Sequence, residues 1–352
     1  MKLDEGGQVY GAGVLLKHSD ALAKEFEGVR QGEADIEYIH RMRVATRRLR
    51  AALPLFADCL PQRKSKAWLD EIRKITSALG EARDADVQIE HLQEYLGLLR
   101  DASQRAGVER LLLRLRQKRA GLQPHLVKAL DRLGEQDTLG QMRAVLEPLA
   151  ARNEQVYIYT QALYRHAHQS IQPCLEAFLG YDAIVPDPTR VAELHAMRIA
   201  SKRLRYTLEA FAPLYSGELK KWLNPVRDAQ ETLGTIHDCD VWLVFIPVYL
   251  EEERERVQAY YGHTRPFPRL IPGVSGYAAV RKAERDDLHA QFGQSWEVWK
   301  AQDLWAGLAQ ALRFPLFPQE GIYPPRPLAQ PQESESPDLD RQDISGADKL
   351  ED

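Results

Sequence analysis

Residues 38–56, YIHRMRVATRRLRAALPLF (Tyr38–Phe56), are the stretch whose reading decides the fold. Wound at about 100° per residue, they give a helix with two unlike faces. Met42, Ala45, Leu49, Ala52, Leu53 and Phe56 form an apolar stripe, while His40, Arg43, Arg47 and Arg50 stack about one turn apart on the opposite side. A second copy lies 155 positions downstream, LHAMRIASKRLRYTLEAF at Leu194–Phe211. There His195, Arg198, Lys202 and Arg205 repeat the basic face, and Met197, Ala200, Leu204 and Leu208 repeat the apolar one. Arg41, Arg48 and Arg203 project from the flanks.

Such a basic face is costly, because like charges at helical spacing destabilise by a few tenths of a kcal/mol per pair. Neither stripe interleaves a glutamate. One reading leaves the cations solvated or paired with acids on other helices. The other makes the face a docking surface for a multiply charged anion. The same residue order in two copies favours docking.

Working outward, Trp68–Val87 (WLDEIRKITSALGEARDADV) matches Trp222–Val241 (WLNPVRDAQETLGTIHDCDV) at an offset of 154. LLKH at Leu15–His18 is echoed by LYRH at Leu163–His166. A duplicated unit of this size is a small helical domain rather than a solenoid repeat. The expected fold is all-α, two pseudo-symmetric antiparallel helical bundles from an internal duplication, with a basic cleft between them. Residues 9–136 form the first bundle and 137–300 the second, followed by a closing helix at 301–314. Residues 315–352 have the composition of an acidic, proline-rich disordered tail. Pro61 is expected to end the first basic helix and Gly80 the helix after it. Asp35 and Asp187 are expected as N-caps, the second with Pro188 at the first helical position. The Pro- and Gly-rich stretch His263–Gly276 reads as a loop.

The 352 residues are 44% hydrophobic, enough for a core, and carry a net charge of −4. The tail, with nine acidic against three basic residues, holds −6 of this, leaving the rest at +2. Any basic patch is therefore local. Three scattered cysteines with no CxxC pair argue against a zinc site and for a reduced interior. The polar start, Met1–Tyr10, does not read as a signal peptide, and an uninterrupted apolar run of membrane-spanning length is absent. The expected location is the cytoplasm, with no membrane partner.

Four motifs in fixed order resemble the CHAD domain family. They are His-x-Met-Arg-Val-Ala-x-Arg-Arg-Leu-Arg at His40–Arg50 and its partner at His195–Arg205, and Leu-Gly-x-x-Arg-Asp-x-Asp-Val at Leu79–Val87 and its partner, with His for Arg, at Leu233–Val241. The resemblance covers roughly residues 9–300. It implies two helical bundles flanking a basic cleft, and binding of inorganic polyphosphate, with attachment to polyphosphate granules as one setting. The residues then expected to bind are His40, Arg43, Arg47, Arg48, Arg50, His195, Arg198, Lys202, Arg203 and Arg205. Lys17, Arg83, Arg119, Arg165, His237 and Arg281 form a secondary set.

The chemistry of the faces agrees. Polyphosphate carries nearly one charge per phosphate and no bases, so it needs guanidinium forks and ammonium points. Single-stranded nucleic acid is met by aromatic platforms, and here only Tyr206 stands beside a stripe. An adaptor for nucleic acid or an acidic protein is the alternative. A metal-dependent phosphohydrolase using His237 and Asp238 is a further one, but the first copy has Arg83 in the histidine position. The aspartate doublets are instead expected to cap a helix N-terminus and pair with arginines. Members with a triphosphate-processing tunnel domain carry an ExExK strand, which is not visible here. The expectation is no enzyme activity, no cofactor and no metal.

Overall fold

The computed structural model describes residues 2–31 and 37–313. Asp35 and the acidic tail lie outside these residues. All regular structure within them is helical. Helices α1 (Glu5–Gln31), α2 (Glu37–Leu55), α3 (Gln62–Leu98), α4 (Ala102–Glu135) and α5 (Thr138–Ala150) make up the first half. The second half comprises α6 (Gln161–Leu179), α7 (Val191–Phe211), α8 (Lys220–Tyr261), α9 (Ile271–Ala301) and α10 (Leu304–Arg313).

In the first half α1 packs on α2 and α5, α2 on α3, and α3 on α4. In the second, α6 packs on α7 and α10, α7 on α8, and α8 on α9. The halves meet along α2 with α7 and along α4 with α9. One apolar core runs through both, and a smaller one fills the far end between α3, α4, α8 and α9. Where α2 and α7 end, the rings of Phe56 and Phe211 pack tilted at 59°, with centroids 5.3 Å apart. The Tyr10 hydroxyl donates to the Ala210 carbonyl at 2.7 Å, and His166 Nε2 to the Leu55 carbonyl at 2.8 Å. These bonds satisfy carbonyls that a helix end leaves without an intrahelical partner.

Several punctuation readings are corrected. Gly80 lies inside α3, which runs on to Leu98. Pro61 caps the start of α3 instead of ending α2, which stops at Leu55, one residue past Pro54. Asp187 does not cap α7; its carboxylate accepts from the backbone and hydroxyl of Thr189, and the helix begins at Val191. The loop expected at His263–Gly276 is short, and Ile271–Gly276 already belongs to α9. Pro272 sits in the first turn of α9, where its missing N–H costs nothing.

The glycines there serve packing. A Cβ at Gly273 would stand 1.8 Å from the Gln104 carbonyl oxygen, and one at Gly107 would stand 2.0 Å from the Leu270 carbonyl oxygen. Helices α4 and α9 therefore cross backbone to backbone. α8 contains a window long and apolar enough by composition to cross a bilayer, with mean hydropathy 1.3, but half of that window is buried in the bundle. A core helix passes the same test.

Candidate functional site

Helix α2 packs against α1, α3 and α7, and its basic residues meet α3 through Asp84 and α7 through Tyr206 and Glu209. The basic residues are accordingly less exposed than an open face would leave them. His40, Arg43 and Arg47 are buried, and Arg198 and Arg205 are among the most deeply buried large side chains, 1% and 2% exposed. Arg48, Arg50, His195 and Lys202 are half-buried, and Arg203 is exposed. The inner arginines lie within the bundle and the outer ones at its surface.

Buried guanidinium groups need counter-charges. Arg43 Nη2 faces Asp84 Oδ1 on α3 at 3.6 Å. Arg205 Nε donates to Glu209 Oε1 at 2.8 Å, and its Nη1 lies 3.5 Å from Gln230 Oε1 on α8. At the crossing of α2 and α7 the two stripes come together. Arg48 Nε donates to Glu209 Oε2 at 3.1 Å, so one carboxylate holds an arginine from each copy. One turn away Arg47 donates to the Tyr206 hydroxyl and lies over the Tyr206 ring at 5.3 Å; Arg205 approaches the same ring at 6.0 Å.

The histidine that heads the second stripe also finds its duplicated-motif partner. The rings of His195 and His237 lie 4.0 Å apart at an interplanar angle of 35°. Of the secondary set, Lys17 on α1 and Arg165 on α6 are exposed and Arg83 is buried. Arg119 and Arg281 serve local pairing. Arg119 Nε donates to Asp86 Oδ1 at 2.7 Å, while Arg281 meets Glu284 at 2.7 Å and lies over the Tyr277 ring.

The aspartate doublets are in mid-helix, at Asp84 and Asp86 of α3 and Asp238 and Asp240 of α8, so they cap no N-terminus. The expected pairing with arginines is seen at Asp84 and Asp86, as described, and again at Asp240. Asp240 Oδ1 accepts from Arg285 Nε at 2.5 Å, and Arg285 Nη2 donates to the Pro188 carbonyl at 2.7 Å. Burial pushes the Asp86 and Asp240 carboxyls above the usual range, outweighing the pull of Arg119 and Arg285. Among the described residues no group of three or more His, Cys, Asp or Glu could hold a metal ion.

Sequence reasoning missed Tyr206 as a clasp, Glu209, Arg285 and His18. Glu209 had a legible signal, since it stands four residues after Arg205, the spacing of a helical ion pair. His18 lies within the field of Arg48 and Lys17, and burial, then those two charges, lowers its pKa from 6.5 to about 4. The unfolded chain therefore binds a proton between these values that the folded chain refuses. Stability from this group is fully present above pH 6.5 and is lost as pH falls toward 4, by up to ~3 kcal/mol. Denaturant unfolding of wild type and His18→Asn across that window checks it. The variant should be flatter, and parallel curves would refute the assignment.

The duplicated motifs, the all-helical frame and the joined basic helices now stand together, and the family model of the CHAD domain matches residues 13–247. The chain belongs to the CHAD family. CHAD domains are in general non-catalytic binding domains associated with polyphosphate. Two curated proteins of Mycobacterium tuberculosis, from different strains and both uncharacterized, are each 31% identical over 182 residues, 49% of this chain. The chain spans about a third of their length, 34%. The crystal structure of the CHAD domain from the plant Ricinus communis is similar with a TM-score of 0.53 at 23% identity, covering 82% of this chain and 94% of that one. PptA from Streptomyces chartreusis is similar with a TM-score of 0.52 at 18% identity, covering 83% and 99%. At these identities the likeness concerns the fold, and the CHAD fold is all-α here as there.

Proposed function

We propose that this chain binds inorganic polyphosphate without catalysis, through the basic residues of α2 and α7 acting as one surface. The proposal includes an internal duplication of the two halves and a cytoplasmic setting, with polyphosphate granules as a docking target. The observation that carries it is the junction of the stripes: Arg48 and Arg205 share Glu209, and Arg47 and Arg205 share Tyr206. Cations from both copies thus lie within one ligand's reach.

Burial divides the labour. Exposed and half-buried cations, Lys17, Arg48, Arg50, Arg165, Lys202 and Arg203, make direct contact with the polymer. Arg43 and Arg205, held inside and paired with Asp84 and Glu209, fix the geometry of the surface from beneath. Tyr206 is engaged by arginines, which leaves the surface without a stacking platform and favours a baseless polymer over single-stranded nucleic acid.

Titration with long-chain polyphosphate and with single-stranded DNA of equal charge tests the reading. Polyphosphate should bind more tightly, and its affinity should fall roughly a thousandfold between about 50 and about 200 mM salt if some six phosphates are neutralised, by analogy with DNA. A flat salt dependence, or tighter binding of DNA, would overturn it.

A further inference from the structure

Glu209 is the carboxylate inside this cationic junction. Its Oε1 accepts from Arg205 at 2.8 Å and its Oε2 from Arg48 at 3.1 Å, so its two oxygens face one arginine from each repeated helix. Arg205 is 2% exposed, whereas Arg48 and Glu209 are about one quarter exposed at the side chain, 28% and 25%. The carboxylate is therefore anchored on a buried cation and open to solvent on its other side. The matching position in the first copy is Pro54, so the repeat supplies this acid once and not twice. Glu231 reaches Arg205 only at 3.9 Å and lies equally far from Arg227.

From this geometry we propose that Glu209 is a built-in competitor, a tethered anion that occupies the place of a ligand phosphate and sets which phosphates can displace it. This rests on the polyphosphate reading of the site. A tethered carboxylate competes at a high effective concentration. A lone orthophosphate or short oligophosphate replaces it one for one and gains little. A long chain engages cations on both sides of the junction at once, and these additional ion pairs outweigh the pair with Glu209 that it displaces. The same cost falls on both, so small phosphates, with few ion pairs, drop below useful affinity while a long chain stays bound, and in the unliganded protein Glu209 holds together cations that would otherwise repel.

The test compares wild type, Glu209→Gln and Glu209→Asp with orthophosphate, tripolyphosphate and long-chain polyphosphate, by affinity and by thermal unfolding. Glu209→Gln should bind tripolyphosphate and the long chain each about tenfold more tightly, because both displace the same tethered carboxylate and are relieved of the same cost. Its unfolding temperature should drop without ligand, and saturating polyphosphate should restore more stability to it than to wild type, since the ligand supplies the missing anion. Glu209→Asp keeps the charge but is one methylene shorter, and should fall between the two. Equal loss of stability with and without ligand, at unchanged affinity, would show a purely structural acid and overturn the proposal. Wild type that binds no polyphosphate would instead overturn the reading of the site itself.

Discussion

Replacing Arg50, Lys202 and Arg203 together by glutamine should lower affinity for long-chain polyphosphate about a hundredfold at low salt and leave the fold intact. Arg50 stands on α2, the other two on α7, and all three lie on the outer side of the basic surface, half-buried or exposed. Their removal opens no core. A long polymer that touches both helices binds the second at an effective concentration set by the first, so weakening both sides multiplies the two penalties. Tripolyphosphate is too short to profit from that linkage and should lose only a few-fold. Isothermal titration with both ligands, alongside thermal unfolding, checks the result. The same proportional loss for both ligands would rule out a joint surface. The choice of outer residues follows from burial. A variant lacking Arg198 and Arg205, each at most 2% exposed, would confound binding with folding.

The largest effect on stability is expected at Asp240. Its carboxylate and the Arg285 guanidinium are only 12% and 8% exposed. Asp240→Ala leaves Arg285 buried against the Pro188 carbonyl with the half-exposed Asp286, 3.7 Å away, as its counter-charge, and should cost about 3 kcal/mol, the low end of the penalty for breaking a buried pair from one side. The double variant Asp240→Ala with Arg285→Met should recover most of that. Burial raises the Asp240 carboxyl despite its partner, which means that desolvation exceeds the attraction. Denaturant unfolding of both single variants and the double variant completes a thermodynamic cycle. A double variant as unstable as Asp240→Ala would show that the pair contributes net stability.

The helical frame was legible because the same two stretches occur twice, and repetition separates a pattern from chance. Burial was not legible to the same degree. The periodicity of Tyr38–Phe56 divides α2 into an apolar and a basic face, and that rule assumes that the polar face meets water. Here α3 and α7 cover it, and Asp84, Glu209 and Tyr206 arrive from other helices to satisfy it. Arg285 carried no signal at all, since α9 does not share the repeated motifs. Gly273 and Gly276 misled for the opposite reason. Next to proline they read as chain breakers, whereas in α9 their lack of a side chain admits the neighbouring helix. Glycine in sequence records that something must come close, and does not say whether it is a turn or a partner.

That close crossing of α4 and α9 bears on how the proposed polymer would be held. Two main-chain carbonyls seated on two bare Cα positions, at Gly107 and Gly273, leave no slack for sliding or tilting. At the other crossing, α2 and α7 are tied through Phe56, Phe211 and the shared arginine clasps. With a weld at each end, the spacing between the two basic helices behaves as the fixed gap of a gauge and not as the jaw of a clamp. For the polyphosphate ligand proposed above, the polymer is then the component that has to bend to fit, and chain flexibility in the ligand, more than motion in the protein, would govern which lengths and shapes are held.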